Sequence, residues 1–261
     1  MNRTISLIAT AIALLLSAAA PDALALAPQD RVENFRLMDN HGDSHELYYY
    51  DDMKAVVVMV QGNGCPIVRN AMPRFQELKD MYADKGVQFF LLNSNLQDNR
   101  QTVSAEAEEF GYDIPVLIDD TQIIGESMDL VRTGEVFVLD PKTWSVTYTG
   151  AVDDRLTYEK QTAEATEHYL KDAIDSMLAG ETVEVASTEP LGCLINFPEK
   201  QNRAQHASIS YSEEIAPMLA ENCVACHREG GIGPWAMTDY NMVRGFSLMI
   251  REVVRTQRMP P

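Results

Sequence analysis

The sequence predicts an α/β domain followed by a small all-α domain. Short apolar runs alternate with stretches of helical periodicity in the first two thirds of the chain. A segment rich in Pro, Gly and polar residues then interrupts both patterns, and only helical periodicity follows it. We therefore divide the chain into an export signal at residues 1–25, an α/β domain at 26–188, a linker at 189–209 and a helical domain at 210–261.

The α/β domain is predicted from strands that are buried on both faces and from the helices between them. Continuous apolar runs predict these strands at residues 55–60, 87–92, 116–118 and 136–139. A Gly-rich turn at residues 62–65 leads into a helix that ends near Lys85, and a second helix at 103–110 ends at Gly111. Alternation of this kind indicates a sheet with helices on its faces.

The N-terminus has the three parts of a secretory signal. Arg3 supplies the positive region, residues 5–16 the apolar region, and Ala23-Leu24-Ala25 a cleavage site. We expect an exported protein, periplasmic or secreted in a bacterium, with an uncleaved N-terminal anchor as the alternative.

The chain is strongly acidic, with 39 Asp and Glu against 21 Lys and Arg and a net charge of -18. Such a surface repels phosphate groups, so we expect no nucleic-acid partner and no membrane contact beyond the export signal.

Cys65 stands between a predicted strand and a predicted helix whose first residue is Pro66. Backbone N–H groups and the helix dipole favour a thiolate at that position. We predict that Cys65 is a nucleophile that attacks a disulfide or a peroxide. The alternative is a relic cysteine in an inactive fold.

The sequence Cys223-Val224-Ala225-Cys226-His227 is a CxxCH motif, which attaches a c-type haem through its two thiols and ligates the iron through its histidine. The pattern by itself also fits a thiol pair or another metal site. Ile215, Met218, Leu219 and Cys223 share one helical face before it, with Ser212 as the predicted cap. A second helix is predicted at residues 240–257, followed by Met259.

The α/β segment resembles the thioredoxin-like redoxins related to alkyl hydroperoxide reductase and thiol-specific antioxidant, over residues 27–178. Cys65 matches the N-terminal active-site cysteine of that family, and Pro73 the proline within its first helix. Residues 136–140 resemble its return strand, and residues 150–154 the Gly-bearing turn that follows. The resemblance implies a thioredoxin-like fold and thiol or peroxide chemistry.

Three positions depart from the pattern of this family. Val68 replaces the second cysteine of a CxxC motif, which excludes dithiol exchange within one turn. Gly62 stands where a peroxiredoxin has Thr or Ser, and Thr133-Gly134 where thioredoxin-like proteins have a cis-proline.

Cys193 resembles the cysteine of a Gly-Cys segment that follows the fold in some redoxin-like proteins. We therefore predict that it is the partner of Cys65, either as the resolving cysteine or in a disulfide, with an independent buried cysteine as the alternative. Arg132 is predicted to stabilise the Cys65 thiolate or to bind an oxygen substrate, the alternative being a surface arginine.

Residues 210–261 resemble a class I cytochrome c, with covalent haem c as the implied cofactor. The resemblance makes His227 the proximal ligand and Met259 the distal ligand of the iron. Other methionines compete for the distal position: Met237, Met242 and Met249. The pattern of a closing C-terminal helix does not follow Met259, so we expect this segment to be truncated.

Together these features predict a periplasmic redox protein that combines a thiol-based redoxin domain with a haem electron-transfer domain. Its partner would be a redox protein or a small thiol or peroxide. Two alternatives remain: an electron-transfer module that serves a missing C-terminal oxidoreductase domain, and a thiol peroxidase.

Overall fold

The computed structural model describes residues 26–157, 161–205 and 209–259. The predicted export signal at residues 1–25 lies outside the described residues. Across those ranges, we find no helix that is both long enough and apolar enough to cross a membrane.

The α/β domain is built on a five-stranded mixed sheet. In chain order, the strands are β3 (Ala55–Gln61), β4 (Val87–Asn93), β5 (Val116–Ile118), β6 (Val136–Asp140) and β7 (Ser145–Gly150), preceded by a hairpin of β1 (Arg36–Met38) and β2 (Ser44–Glu46). The order across the sheet is β5-β4-β3-β6-β7. Strands β3, β4 and β5 run parallel, whereas β6 and β7 are antiparallel to their neighbours. The predicted α/β thioredoxin-like fold is confirmed.

Strand β3 lies at the centre of the sheet, and all seven of its residues are buried. Alternate side chains point to opposite faces, so Val57 and Met59 enter one core and Val56 and Val58 enter the other. Both faces are covered, which explains the continuous apolar run that predicts this strand.

Helices cover the first face of the sheet. They are α1 (Pro66–Tyr82), α2 (Arg100–Phe110) and α4 (Tyr169–Ala179), whose buried side chains share a core with β3 and β4. Helix α1 contains Pro73, as the sequence predicts, and its last turn continues as a 3-10 turn at Ala83–Lys85. Helix α2 ends at Gly111, which takes the predicted left-handed conformation with φ of 67°.

The second face is covered by the N-terminal segment, by α3 (Ile123–Ser127) and by residues that follow α4. Ile195 and Phe197 are buried in this core, just before α5 (Pro198–Gln205). Part of the segment predicted as a linker therefore packs on the α/β domain.

The C-terminal segment is helical. It contains a π-turn at Tyr211–Ile215, α6 (Ala216–Asn222), α7 (Tyr240–Gly245) and α8 (Ser247–Arg255). Only some C-terminal helices are seen, so a separate all-α cytochrome c domain stays a prediction.

Two local predictions in this segment are wrong. Ser210, and not Ser212, caps the first turn, because its side chain accepts the N–H of Glu213. The single helix predicted at residues 240–257 is two helices that break at Phe246, whose φ and ψ of -100° and 12° leave the helical region.

Candidate functional site

Cys65 lies at the N-terminus of α1, where the carboxyl end of β3 turns into the helix. Its backbone is extended, with φ of -70° and ψ of 116°, so it occupies the cap position that precedes the first helical residue. Its side chain is 3% exposed. The N–H of Val68, in the first turn, is directed at the sulfur and favours a thiolate.

Two carboxylates, one of them the buried Glu106, hold the turn in front of Cys65. Asp98 accepts the N–H of Asn63 at 3.0 Å, and Glu106 accepts the N–H of Gly64 at 2.9 Å. Arg69 compensates the buried Glu106 charge through a 3.0 Å bond from its Nε. The N–H groups of Asn63 and Gly64 are thus bound by side chains, which helps to keep the cysteine in one position.

Thr133 connects the two cysteines of the α/β domain. Its hydroxyl donates to the Cys65 Sγ at 3.0 Å and accepts the Cys193 N–H at 3.1 Å. Its own N–H donates to the Cys193 carbonyl at 2.9 Å. One side chain therefore binds the sulfur of Cys65 and the backbone of Cys193.

Cys193 is presented by residues 191–195, which we call the Cys193 strap. The strap lies antiparallel to the loop before β6, with an Arg132–Leu194 bridge and a 2.9 Å bond from the Ile195 N–H to the Val131 carbonyl. Gly192 permits this approach, because a Cβ at that position would lie 1.7 Å from the Thr133 carbonyl oxygen. The strap places Cys193 beside Cys65, close enough for each cysteine to affect the pKa of the other.

The two thiols have opposite pKa shifts. Burial is the largest effect on Cys65 and raises its pKa, but hydrogen bonds from Thr133, Val68 and Cys193 outweigh it, so the net pKa lies below the usual value. For Cys193, burial together with the neighbouring Cys65 raises the pKa, and Thr133 and Arg132 offset only part of that rise. The pair thus favours a thiolate on Cys65 and a protonated thiol on Cys193.

Arg132 lies on the Cys193 side of the pair. Its Nη1 donates to the Gly192 carbonyl at 3.0 Å, and its charge acts on Cys193. The predicted role at the Cys65 thiolate or with an oxygen substrate stays a prediction. Arg69, on α1, is close enough to Cys65 for a Cys65 thiolate to raise the pKa of its guanidinium group.

The CxxCH motif borders an apolar cavity of about 290 Å³. The cavity is lined by Cys223, Cys226 and His227 of the motif together with apolar side chains of the loop after it and of α8. The His227 Nδ1 lies 3.1 Å from the Trp235 carbonyl oxygen, so Nδ1 is the donor and Nε2 is the ring nitrogen that could bind a metal.

Three methionines line this cavity: Met237, Met249 and Met259. Met237 is 9% exposed, whereas Met249 and Met259 are 48% and 43% exposed. Met242, the remaining candidate ligand, does not line the cavity. The assignment of Met259 as the distal ligand stays a prediction. Within the described ranges, no cluster of three or more His, Cys, Asp or Glu side chains could hold a metal ion.

Helix α8 joins the CxxCH segment to the α/β domain. On one side it contributes Met249 and Val253 to the cavity. On the other, Arg251 donates to the Ile123 carbonyl at 3.3 Å and pairs with the buried Glu126 carboxylate at 3.2 Å. Arg203 of α5 binds the same carboxylate. The two segments therefore share a charge cluster around one buried carboxylate.

A sequence model of the Redoxin family matches residues 27–166, more than half of the chain. The chain belongs to the redoxin family. The matched residues contain Cys65 and Thr133, whereas Cys193 and the CxxCH motif lie outside them. The redoxin resemblance is confirmed, and the cytochrome c resemblance stays a prediction.

Many solved structures are similar to this redoxin, and two of them serve as examples. A hypothetical protein from Sinorhizobium meliloti shares 25% identity at a TM-score of 0.60, over 66% of this chain and 95% of that protein. An uncharacterized conserved protein from Geobacillus kaustophilus shares 27% identity at a TM-score of 0.59, over 66% and 93%. No curated protein matches the chain.

The structure explains one departure of this redoxin from its family pattern. A Cβ on Gly62 would lie 2.5 Å from the Asn95 Nδ2 and 2.8 Å from the Thr133 Cγ2. Thr133 thus occupies the space beside Gly62, and its own hydroxyl reaches Cys65. Sequence reasoning recognised Thr133 only as a departure and missed this contact; its position before Gly134 and the return strand was the available signal.

Proposed function

We propose that this redoxin is a thiol–disulfide redox protein whose active couple is Cys65 and Cys193. The main support is Thr133, which binds the sulfur of one cysteine and the backbone of the other. Oxidation of the pair, one thiolate and one thiol, forms one S–S bond and releases one proton and two electrons, and the electrons pass to the oxidant, a disulfide of a redox partner or a small molecule. The opposite pKa shifts support this exchange, because one cysteine is held as thiolate and the other retains its proton.

Non-reducing peptide mass spectrometry tests the couple. The protein is treated with oxidised dithiothreitol and digested with trypsin. We expect the tryptic peptide of residues 55–69 to be linked by a disulfide to the tryptic peptide of residues 172–200. Cys65→Ser and Cys193→Ser must each abolish the link. Two free thiols after complete oxidation would refute the proposal.

Peroxide reduction by Cys65 is the second candidate for the thiol site. There the Cys65 thiolate would attack the peroxide, the O–O bond would break and an alcohol or water would leave, which forms a sulfenic acid on Cys65. The Cys193 thiol would then attack that sulfur and expel water to form the same disulfide. The low pKa of Cys65 favours this reaction, whereas its 3% exposure opposes it. Peroxide consumption that is lost in Cys65→Ser and retained in His227→Ala would favour the peroxidase.

For the C-terminal segment we propose covalent haem c, attached to Cys223 and Cys226, with His227 as the proximal ligand and Met259 as the distal ligand. The apolar cavity beside the motif and the orientation of the His227 ring support this assignment. When bound, the haem would supply one-electron transfer. The residues of the chain would attach the haem through two thioethers, orient the imidazole and exclude water.

The buried core of this segment is small, which further supports a cofactor. Its buried apolar residues are Leu219, Met237 and Val243. Two other apolar residues line the cavity but are largely exposed: Ile232 is 91% exposed and Val254 is 52% exposed. A cofactor seated there would cover apolar surface that the chain alone leaves in water.

A pyridine haemochrome spectrum tests the haem proposal in protein expressed with cytochrome c maturation machinery. We expect a c-type signal that is lost when Cys223 and Cys226 are both replaced by Ala. Since this attachment takes place outside the cytoplasm, the proposal includes export to the periplasm, and mature protein beginning near Leu26 in a periplasmic fraction would support it. Haem reduction without any thiol activity would favour the non-catalytic electron-transfer module.

A further inference from the structure

The two cysteines of the proposed couple differ in access from outside. Cys65 is 3% exposed and is enclosed by Thr133, by the first turn of α1 and by the Cys193 strap. Cys193 is an exposed residue, and Leu194 beside it is 67% exposed. A partner sulfur must approach in line with the sulfur that it attacks, so access decides which cysteine it can reach.

Access to Cys65 would require the strap to leave. The strap is attached by backbone bonds in both directions, from the Thr133 N–H to the Cys193 carbonyl and from the Ile195 N–H to the Val131 carbonyl. Ile195 is also buried in the core. Exchange at Cys193 needs no such opening, because that residue already faces solvent.

We propose that Cys193 is the cysteine that exchanges with the partner, and that Cys65 is the internal cysteine that forms and opens the disulfide behind it. This role assignment rests on the proposed Cys65–Cys193 couple. It reverses the order expected from the sequence, in which Cys65 attacks the substrate and Cys193 resolves the product.

The exchange balances in both directions. When a partner dithiol reduces the protein, its thiolate attacks the Cys193 sulfur, the Cys65–Cys193 bond breaks, and Cys65 leaves as a thiolate. The second partner thiolate then attacks the first partner sulfur, which is bonded to Cys193. This step forms the partner disulfide and releases Cys193 as a thiolate, which takes a proton. In reverse, Cys193 loses its proton and attacks the partner disulfide, one partner sulfur leaves as a thiolate, and Cys65 then attacks the Cys193 sulfur and releases the other partner sulfur as a thiolate.

When the protein is reduced, the electrostatics of the pair support this division. A thiol of lower pKa leaves faster, and hydrogen bonds from Thr133 and Val68 stabilise Cys65 as a thiolate at the moment of departure. The N-terminus of α1 thus stabilises the Cys65 thiolate as the leaving group.

Glutathione mapping tests the assignment in the full chain. Oxidised wild-type protein is treated briefly with reduced glutathione, quenched in acid and alkylated, and the glutathione adduct is located by mass spectrometry. Cys65 and Cys193 fall in separate tryptic peptides, residues 55–69 and 172–200, and the motif cysteines in a third. We expect the adduct on Cys193.

The rate of glutathione adduct formation at each cysteine is measured in the two variants that retain only one cysteine of the pair. Treated with glutathione disulfide, Cys65→Ser should form its adduct on Cys193 at least tenfold faster than Cys193→Ser forms one on Cys65. An adduct mainly on Cys65 in the wild type, or equal rates in the variants, overturns the assignment. If wild-type protein never forms the Cys65–Cys193 disulfide, the proposed couple itself fails, and the result is distinct from an adduct on the wrong cysteine.

Discussion

Replacing Thr133 by Val should make Cys65 a weaker acid without changing the volume of the side chain. The change removes the hydroxyl that donates to the Cys65 sulfur at 3.0 Å. A hydrogen bond to a charged group stabilises it by about 1.5–3 kcal/mol, and sulfur is a weak acceptor, so the low end applies. Since about 1.4 kcal/mol is a factor of ten, the thiolate fraction of Cys65 below its pKa should fall roughly tenfold.

Nuclear magnetic resonance can measure this pKa without chemical access to the sulfur. We would follow the ¹³Cβ shift of Cys65 against pH in reduced protein labelled with ¹³C-cysteine, assigned with Cys65→Ser. Because Cys65 is buried, solvent screening should reduce the effect little.

Two variants serve as controls for Thr133→Val. Thr133→Ser retains the hydroxyl and should keep the pKa of Cys65 low. Thr147→Val removes a hydroxyl that donates to the Val138 carbonyl at 3.0 Å in the same sheet, and it should leave Cys65 unchanged. An unchanged titration of Cys65 in Thr133→Val, or an equal shift in Thr147→Val, would show that the hydroxyl does not set its acidity.

Three further changes test other parts of the structure. The pKa of Glu135 is raised by burial from 4.5 to about 7, so between these values the folded state holds a proton that the unfolded state has lost, and stability falls as the pH rises from 4.5 to about 7. Urea unfolding should therefore find Glu135→Gln more stable than the wild type at pH 8, by at most about 3 kcal/mol, and nearly equal at pH 4. Gly192→Ala should slow formation of the Cys65–Cys193 disulfide at least tenfold, because its Cβ would meet the Thr133 carbonyl. Gly180→Ala, the control, lies at a positive φ in open space and should not slow it. Equal rates of disulfide formation in acid-quenched oxidation assays would contradict the strap geometry. Glu126→Gln should lower the free energy of unfolding by about 2 kcal/mol, since the arginines of α5 and α8 lose their charged acceptor, and an unchanged urea midpoint would show that the cluster adds nothing to stability.

Much of the α/β fold follows from local patterns. Strands buried on both faces are apolar throughout, which is why residues 55–60 and 87–92 predict β3 and β4 to within one residue. Strand β7 was missed because SVTYTG mixes polar and apolar residues at the edge of the sheet. Helix α4 was missed although Leu170 and Ile174 share one of its faces, spaced by four residues.

Local sequence patterns predict only part of the candidate thiol site. The position of Cys65 before Pro66 is a local signal, since a proline at the first turn and a preceding apolar strand are read from consecutive residues. The proximity of Cys193 could be predicted only through a family resemblance, and the contact of Thr133 not at all. Thr133 is separated by 68 residues from Cys65 and by 60 from Cys193, and no periodicity spans such distances.

The sequence by itself determined the alternation of strands and helices, the cysteine at a helix N-terminus and the CxxCH motif, because each depends on neighbouring residues and their intrinsic chemistry. Only the tertiary structure decided which cysteine is buried and which is exposed. Docking of the Cys193 strap on the loop before β6 sets that difference, and it depends on hydrogen bonds between backbone groups that are about sixty residues apart. Burial and those hydrogen bonds then determine the acidity and the access of each sulfur.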